Sequence, residues 1–257
     1  MTDVARVALV TGAAQGIGEA IALRLADDGL DVALVDLPTK RSQLDSVAQA
    51  IRAKGQRAII VHADVSQEAA VEGMVTEAVA QLGGLDVMVA NAGICEWSPI
   101  VDLTVESWDA TMSVNARGVM LAIKHAARQM VAQKRGGRII AASSIVGKHG
   151  KAELGAYCAS KFAVRALVQA AAQELRVHNI TVNGYCPGAI LTPLTLHPDD
   201  VINGGHGSTK SKIVGIPSDI KPAPPEVIAS FVSYLAKPES RYITGQSVNI
   251  DGGWKMD

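Results

Sequence analysis

The sequence predicts an α/β fold in which a doubly wound, seven-stranded parallel sheet carries helices on both faces. Short β-branched runs alternate with longer alanine-rich helical patterns along all 257 residues. Several of the short runs, such as 7–10 and 85–89, are apolar almost throughout, as strands are when helices cover both of their faces. Because no linker or change of composition interrupts the alternation, we expect a single domain over residues 1–257.

Each element of this fold has its own segment of the sequence. The β-branched runs predict seven strands, at 6–10, 31–35, 57–61, 85–89, 138–142, 180–185 and 246–250. The alanine-rich segments, most with glycine or proline near an end, predict helices at 16–28, 42–54, 68–82, 105–133, 156–178 and 225–236. Ligands of such sheets bind at the carboxyl ends of the strands, so the residues that follow each strand are the first candidates for a site.

One segment, 197–225, departs from the alternation because it is rich in Gly, Pro, Ser and Lys. Long loops inside compact domains are usually functional or disordered. This one follows the sixth predicted strand, at the edge where a ligand is expected, so we interpret it as a substrate lid. An insertion without a role is the alternative.

The composition indicates which partners the protein does not bind and which cellular compartment to expect. Lys and Arg (24) balance Asp and Glu (25), and no run of like charges forms a phosphate-binding stripe, which argues against nucleic acid. No apolar run reaches the roughly 18 residues of a membrane span. The three cysteines are widely spaced and have no metal-ligand companions, so we expect no disulfide, no metal site and a cytoplasmic location.

A glycine-rich turn, residues 11–18, follows the first predicted strand and leads into the first helix. Gly12, Gly16 and Gly18 would let the chain turn sharply and let its N–H groups approach a pyrophosphate at the positive end of the helix. The turn therefore predicts a dinucleotide site, with an ordinary strand-to-helix loop as the alternative. Small or polar residues follow the third and fourth strands at the same edge: Asp64, Val65, Asn91, Ala92 and Gly93. For Asp64, a helix cap is an equal alternative.

The charge at the end of the second strand bears on the choice of nucleotide. Asp36 lies eighteen residues after Gly18, close to the spacing at which a carboxylate binds ribose hydroxyls. A carboxylate there would repel a 2′-phosphate, so NAD is favoured over NADP. Lys40 and Arg41 follow a few positions later; either could turn toward a phosphate, or both could belong to a solvated helix start.

Four further residues could carry acid–base chemistry. Tyr157 and Lys161 are four apart, so they share one helical face, where the ammonium would lower the pKa of the phenol. Ser144 ends the fifth strand, and its hydroxyl could bind a substrate oxygen or cap the next turn. The Asn115 amide could position a water beside Lys161 or brace a helix. Ser143 is a rival serine whose spacing to Tyr157 fits less well.

These motifs together resemble the short-chain dehydrogenase/reductase (SDR) family. The spacing of the three glycines is similar to its TGxxxGxG pattern, and residues 91–93 are similar to its next signature. Asn115, Ser144, Tyr157 and Lys161 resemble its catalytic tetrad, and 251–253 resembles its C-terminal end; the resemblance spans about 7–254. Residues 187–192 resemble the segment that members fold over the nicotinamide.

The resemblance implies a Rossmann fold and reversible hydride transfer between NAD(H) and a secondary alcohol or ketone. In reduction, Ser144 and Tyr157 would polarise the ketone and Tyr157 would donate the proton, with Lys161 and Asn115 leading to bulk water. The cofactor-binding residues implied are Gly12, Gln15, Gly16, Ile17, Gly18, Asp36, Asp64, Val65, Asn91, Ala92, Gly93, Tyr157, Lys161, Pro187, Gly188, Ile190 and Thr192.

The segments 160–165 and 181–188 look most like the acetoin/diacetyl reductase and butanediol dehydrogenase branch. That branch often has glutamine after the catalytic serine, where this chain has Ile145, so a more apolar ketone is expected. The predicted substrate residues are Ser144, Ile145, Tyr157, Trp97, Cys186 and Leu194. A 3-oxoacyl thioester reductase, a polyol dehydrogenase and a silent NAD-sensing protein are alternatives. Relatives commonly assemble through the helices at 105–133 and 156–178, so we expect a homotetramer or homodimer.

Overall fold

The computed structural model describes residues 6–256, which form a seven-stranded sheet with every pairing parallel. The strands are β1 Val7–Thr11, β2 Asp31–Asp36, β3 Ala58–His62, β4 Val87–Ala90, β5 Gly137–Ala142, β6 Ile180–Pro187 and β7 Ser247–Ile250. They lie in the order β3-β2-β1-β4-β5-β6-β7. The predicted fold class is confirmed, and each predicted strand is found with its ends displaced by a residue or two.

The strand order reverses at β1, which has β2 on one side and β4 on the other. Val10 lies opposite Leu34 of β2 and Val89 of β4 in the parallel register. The loops that leave β1 and β4 therefore run to opposite faces and open a crevice between them. The predicted glycine-rich turn and residues 91–93 both lie at this crevice.

The helices are α1 Gly16–Asp27, α2 Arg41–Ala53, α3 Glu68–Leu82, α4 Val105–Met112, α5 Gly118–Gln133, α6 Gly155–Leu175, α7 Asp200–Asn203, α8 Ser208–Ile213 and α9 Glu226–Ala236. One face of the sheet packs against α3, α5 and α6, and the other against α1, α2 and α9. Alternate residues of β1 enter the two cores, because successive side chains of a strand point to opposite faces. The apolar runs in the sequence reflect this double burial.

The predicted helix at 105–133 is interrupted by a π-helical turn, Ser113–Arg117. Asn115 lies in this turn, and its side chain bonds the backbone of Ile94, 21 residues away, in the loop after β4. A π-turn inserts one extra residue into a helix and is frequent at functional sites. Apolar periodicity alone did not reveal the interruption, because a contact outside the helix accompanies it.

The segment 197–225 is less irregular than predicted, because it contains α7 and α8. The buried carboxylate of Asp200 accepts hydrogen bonds from the backbone N–H groups of Thr209, Gly207 and His197. Burial opposes its ionisation, yet these bonds hold the pKa of Asp200 well below its usual range. Among the described residues, no helix is long and apolar enough to cross a membrane.

Candidate active site

The glycine-rich turn between β1 and α1 needs glycine for steric reasons. Gly12 and Gly16 have φ angles of +66° and +62°, where side chains are strained. A Cβ on Gly18 would lie 2.0 Å from the carbonyl oxygen of Gly12. Gln15 precedes α1 without making a side-chain capping bond. The first N–H groups of α1 are therefore left to a ligand at the positive end of the helix.

Asn91 ties this turn to two neighbouring strands. Its amide nitrogen donates to the carbonyl oxygens of Thr11 (2.9 Å) and Gly12 (3.2 Å), and its Oδ1 accepts from the Tyr185 hydroxyl at 2.8 Å. The Thr11 hydroxyl oxygen accepts from the backbone N–H of Asn91 at 3.0 Å and of Ala92 at 3.1 Å. Asn91 thus fixes the shape of the turn more than it presents a free group to a ligand.

Asp36 lies beside the turn at the end of β2. Its carboxylate accepts from the backbone N–H of Ala14 at 3.1 Å and of Leu37 at 2.9 Å, and it remains partly exposed. Lys40 donates from Nζ to Oε1 of Gln15 at 3.1 Å, so it leans toward the turn. Arg41 lies farther out, with its side chain 78% exposed. The rim of the crevice therefore carries one carboxylate and one ammonium.

Of the two residues predicted after β3, Asp64 lies at the surface and Val65 lies in the core. Asp64 is exposed, and its Oδ1 accepts from the backbone N–H of Ser66 at 2.9 Å. It shapes the turn before α3 but does not cap the helix, because the residue directly before α3 is Gln67. Val65 is buried in the core, where a Cβ on Gly118 would lie 3.0 Å from its Cγ2.

The segment after β6 folds back over the glycine turn. Thr192 lies opposite Gly16, where an added Cβ would be 3.3 Å from the threonine side chain. The Thr195 hydroxyl donates to the carbonyl oxygen of Ile190 at 2.9 Å and accepts from the N–H of Thr192 at 3.1 Å. Thr192 therefore lies against the glycine-rich turn, and Ile17 on α1 is packed partly against the core.

Tyr157, Ser144 and Lys161 meet at the carboxyl edge of β5. The hydroxyl groups of Ser144 and Tyr157 are hydrogen-bonded. Lys161 is buried, donates from Nζ to the carbonyl oxygen of Ala142 at 2.8 Å, and lies 5.5 Å from the centre of the Tyr157 ring. Ser143 is turned away, because its hydroxyl donates to the carbonyl oxygen of Lys161 at 2.9 Å. The geometry favours Ser144 over its rival.

The electrostatics correct one expectation about this group. Burial raises the pKa of Tyr157 above its ordinary value, and the hydrogen bond with Ser144 lowers it by less. Burial also lowers the pKa of Lys161 to about 8. The expectation that Lys161 lowers the pKa of Tyr157 is not met in the chain alone, because desolvation dominates and the ammonium bonds Ala142 instead. Tyr157 therefore stays protonated at neutral pH, which is the form that can donate a proton.

The side chain of Asn115 also makes contacts that differ from those expected from the sequence. Its Nδ2 donates to the carbonyl oxygen of Ile94 at 2.8 Å and to Oγ of Ser160 at 3.1 Å, while its Oδ1 accepts from the N–H of Ile94 at 2.8 Å. The amide that we expected to position a water is therefore engaged with protein groups. A Cβ on Gly93 would lie 3.2 Å from the Asn115 Oδ1 and 3.4 Å from the Lys161 Nζ. Because glycine has no side chain, the space between residue 93 and these two groups is left unfilled.

The predicted substrate residues separate into two groups. Ile145 is buried in a small apolar cluster with Val146, Leu154 and Cys158, and Trp97 and Tyr157 pack against it. A cavity of about 190 Å³ adjoins this cluster, lined by Ile145, Val146, His149, Gly150, Lys151, Val214, Gly215, Trp254 and Lys255. Cys186 is fully buried and Leu194 is 45% exposed, and neither lines that cavity.

A family model described as short chain dehydrogenase matches residues 6–199. The chain belongs to the short-chain dehydrogenase family. The short-chain dehydrogenase/reductase eriH of Hericium erinaceus is 52% identical to it over 251 residues, covering 96% of each protein. The L-2,3-butanediol dehydrogenase of Corynebacterium glutamicum is 40% identical, covering 96% of this chain and 98% of that protein. The predicted resemblance to the acetoin and butanediol branch is therefore confirmed.

A solved structure of a blue fluorescent protein from a metagenomic library, in complex with NADPH, has a TM-score of 0.86 and 35% identity, covering 98% of both chains. As a short-chain dehydrogenase, this protein is an oxidoreductase of alcohols or ketones that uses a nicotinamide cofactor. Among residues 6–256, no group of three or more His, Cys, Asp or Glu side chains is placed to hold a metal ion.

Several residues at the site were missing from the predicted set. Thr11 and Tyr185 support Asn91, and Ser160 links Asn115 to the carbonyl oxygen of Tyr157, to which it donates at 2.7 Å. A tyrosine near the carboxyl end of a predicted strand was the available signal for Tyr185. Trp254 reaches the cluster around Tyr157 from the end of the chain, a contact that local sequence patterns do not encode.

Proposed function

We propose that this short-chain dehydrogenase is an NAD(H)-dependent alcohol dehydrogenase and ketone reductase with Asn115, Ser144, Tyr157 and Lys161 as its catalytic group. The observation that carries the proposal is the hydrogen-bonded pair of Ser144 and Tyr157, with the buried ammonium of Lys161 beside the ring. A protein that only sensed a nucleotide would have no use for a protonated phenol placed between a serine and a lysine.

The residues present fit a nicotinamide dinucleotide. The start of α1, which has no side-chain cap, is suited to the pyrophosphate of the cofactor, and the Asp36 carboxylate is suited to a ribose. The space beside Gly93, next to Lys161, is suited to the nicotinamide end. The bound cofactor supplies or accepts the hydride. We favour NAD because the Asp36 carboxylate, held by two backbone N–H groups, would repel a 2′-phosphate. Lys40, which leans toward the turn, is a nearby cation that would oppose this choice.

In the direction of reduction, Ser144 and Tyr157 hold the substrate oxygen and Tyr157 transfers its proton to it. Burial keeps Tyr157 protonated, and the hydrogen bond to Ser144 orients its hydroxyl. The ammonium of Lys161 stabilises the tyrosinate once the proton has left. Asn115 hydrogen-bonds the loop at Ile94 and the hydroxyl of Ser160. Because Ser160 is next to Lys161 and donates to the carbonyl oxygen of Tyr157, Asn115 helps to position both residues. A proton from bulk water then returns to Tyr157 by way of Lys161, and oxidation runs the same steps backward.

We propose a small or medium-sized ketone as the substrate, with acetoin and diacetyl as the reference compounds and the segment 197–225 as the lid. Val214 of that segment packs against the cluster that includes Tyr157, which supports the lid assignment. Ile145 provides no hydrogen bond from its side chain, which favours a more apolar body. A 3-oxoacyl thioester and a polyol remain the alternative substrates. The expectations of a cytoplasmic location and of a homotetramer or homodimer stay predictions.

The test is the initial rate of cofactor oxidation with NADH and, separately, NADPH against diacetyl, acetoin, cyclohexanone, a 3-oxoacyl thioester and a ketose. We expect turnover with NADH of diacetyl, acetoin or cyclohexanone. Turnover of only the thioester or the ketose would replace the substrate class while keeping the reaction. NADH binding without oxidation of any compound would contradict the enzymatic function and favour the nucleotide-sensing alternative.

A further inference from the structure

The cavity of about 190 Å³ next to the cluster around Tyr157 is larger than a small hydroxyketone requires. A cavity of about 150 Å³ holds a benzene ring. Its apolar walls are the side chains of Ile145, Val146, Val214 and Trp254, all of which belong to or pack against that cluster. A substrate whose carbonyl lies at Tyr157 can therefore extend a ring-sized apolar body into this cavity.

The polar groups at this cavity lack partners. Nε2 of His149 is buried and has no hydrogen-bond partner among residues 6–256. The Lys151 ammonium lies 3.7 Å from the position of a Cβ on Gly215, across the cavity, and makes no ion pair or hydrogen bond with the part of the chain that the structure describes. An unsatisfied buried imidazole nitrogen costs folding free energy, so a partner from outside the chain would stabilise it.

The charge around these groups is positive. No Asp or Glu is among the residues that line the cavity, whereas Lys151 and Lys255 are, and Nζ of Lys255 lies 5.5 Å from the centre of the Trp254 ring. Among the carboxylates close in sequence to the lining residues, Glu153 and Asp219 are exposed, and Asp251 accepts from the backbone N–H groups of Gly253 and Lys255 within its own turn. An ammonium without an ion pair, in a cavity lined by no carboxylate, suits an anion, and His149 lines the same cavity.

We propose that the natural substrate is a ketone or secondary alcohol that carries a carboxylate at its far end. The carboxylate lies against His149 and Lys151, and the apolar body lies against Ile145 and Trp254. This inference rests on the proposed function, since the carbonyl is placed at Tyr157. Neither His149 nor Lys151 takes part in the proposed chemistry, so they determine which ketone is chosen and leave the transfer of hydride to the catalytic group.

The experiment compares 4-oxocyclohexanecarboxylate with 4-methylcyclohexanone, a neutral ketone of similar size, in reduction by NADH. For the wild-type enzyme we expect kcat/KM to be about tenfold or more higher for the acid. Lys151→Met and His149→Phe should each reduce this ratio about tenfold, largely through KM for the acid. Lys134→Asn, which removes a charge at the far end of α5 at a left-handed position that asparagine tolerates, is the control and should preserve the ratio.

Equal or higher kcat/KM for the neutral ketone in the wild-type enzyme would overturn the inference and leave the proposed function standing. A second measurement does not depend on turnover: titration of the NAD complex with cyclohexanecarboxylate, followed by calorimetry and by tryptophan fluorescence. Binding that Lys151→Met abolishes would support the carboxylate site even if no ketone were reduced. Equal binding of cyclohexanecarboxamide, or binding of neither compound, would overturn it.

Discussion

At the scale of the residue, the site depends on which side chains are protonated where water is excluded. Burial, more than the nearby ammonium, sets the pKa of Tyr157 and raises it. Burial lowers the pKa of Lys161. The sequence could predict that Tyr157 and Lys161 lie together, because they share a helical face, and their catalytic role stays a proposal. The balance between desolvation and charge could not, because it depends on everything packed around them.

The lowered pKa of Lys161 predicts that cofactor binding depends on pH. Its pKa is lowered to about 8, so the ammonium is present below that pH and is lost as the pH rises through it. Since the cofactor is anionic, we expect the affinity for NADH to fall between about pH 7 and 9, which protein-to-NADH energy transfer measures. Lys161→Met should bind more weakly at pH 7 and show no such fall. An identical fall in this variant would assign the titration to another group.

Asp36 predicts the choice between the two nicotinamide cofactors. Replacing it by alanine removes the carboxylate at the rim and leaves Lys40 as the nearest charge, so the preference for NADH over NADPH should fall by about tenfold or more. The measurement is kcat/KM for each cofactor with one ketone. Glu72→Ala on α3, at an exposed position, removes the same charge elsewhere and should change neither value. An unchanged preference in Asp36→Ala would show that another group sets it.

At the scale of the element, the strands were predicted well and the interruptions of the helices poorly. A buried strand shows itself as an apolar run, as β4 does. The π-turn at Ser113–Arg117 was not visible within the helical pattern, because Asn115 is held by the loop after β4. The two short helices of 197–225 were likewise missed, since that segment is organised around the carboxylate of Asp200 and has no periodic apolar face.

The glycine-rich turn gives a prediction on stability. Gly18→Ala would place a Cβ 2.0 Å from the carbonyl oxygen of Gly12, so the turn must open. We expect the free energy of unfolding to fall by about 1–3 kcal/mol and NADH binding to weaken, as urea titration and fluorescence measure. Gly73→Ala is the matched control, because that position in α3 has no neighbour within 4 Å and alanine favours helix by about 1 kcal/mol. Equal stability of the two variants would contradict the close contact.

At the scale of the whole molecule, one site gathers residues from most of the chain. The order of βα units in the sequence was enough to predict the sheet and the edge at which β1, β4 and β5 bring the motifs together. It was not enough to predict that Val214 and Trp254 would pack beside Tyr157. Those contacts join segments that are far apart in sequence, and only the folded chain brings them into reach.

Assembly remains a prediction at this scale. Large apolar side chains are exposed on the two segments expected to pair with other subunits: Val105 and Trp108 on α4, and Phe162 on α6. Burial of such faces against a second copy would be favourable. We expect light scattering to give a mass two or four times that of one chain. Phe162→Lys should shift the population toward smaller species, whereas a monomeric wild-type protein would contradict the expected assembly.

The central claim is that Tyr157 gives its proton to the substrate, and one measurement tests it most directly. NADH bound to wild-type enzyme and to Tyr157→Phe is mixed with a ketone that the wild-type enzyme reduces, and its oxidation is followed in a single turnover. We predict that Tyr157→Phe binds NADH with nearly unchanged affinity and oxidises it at least about a hundredfold more slowly. Tyr242→Phe, at a tyrosine that is 91% exposed, controls for the loss of a phenol and should match the wild-type enzyme. Wild-type rates in Tyr157→Phe would contradict the account.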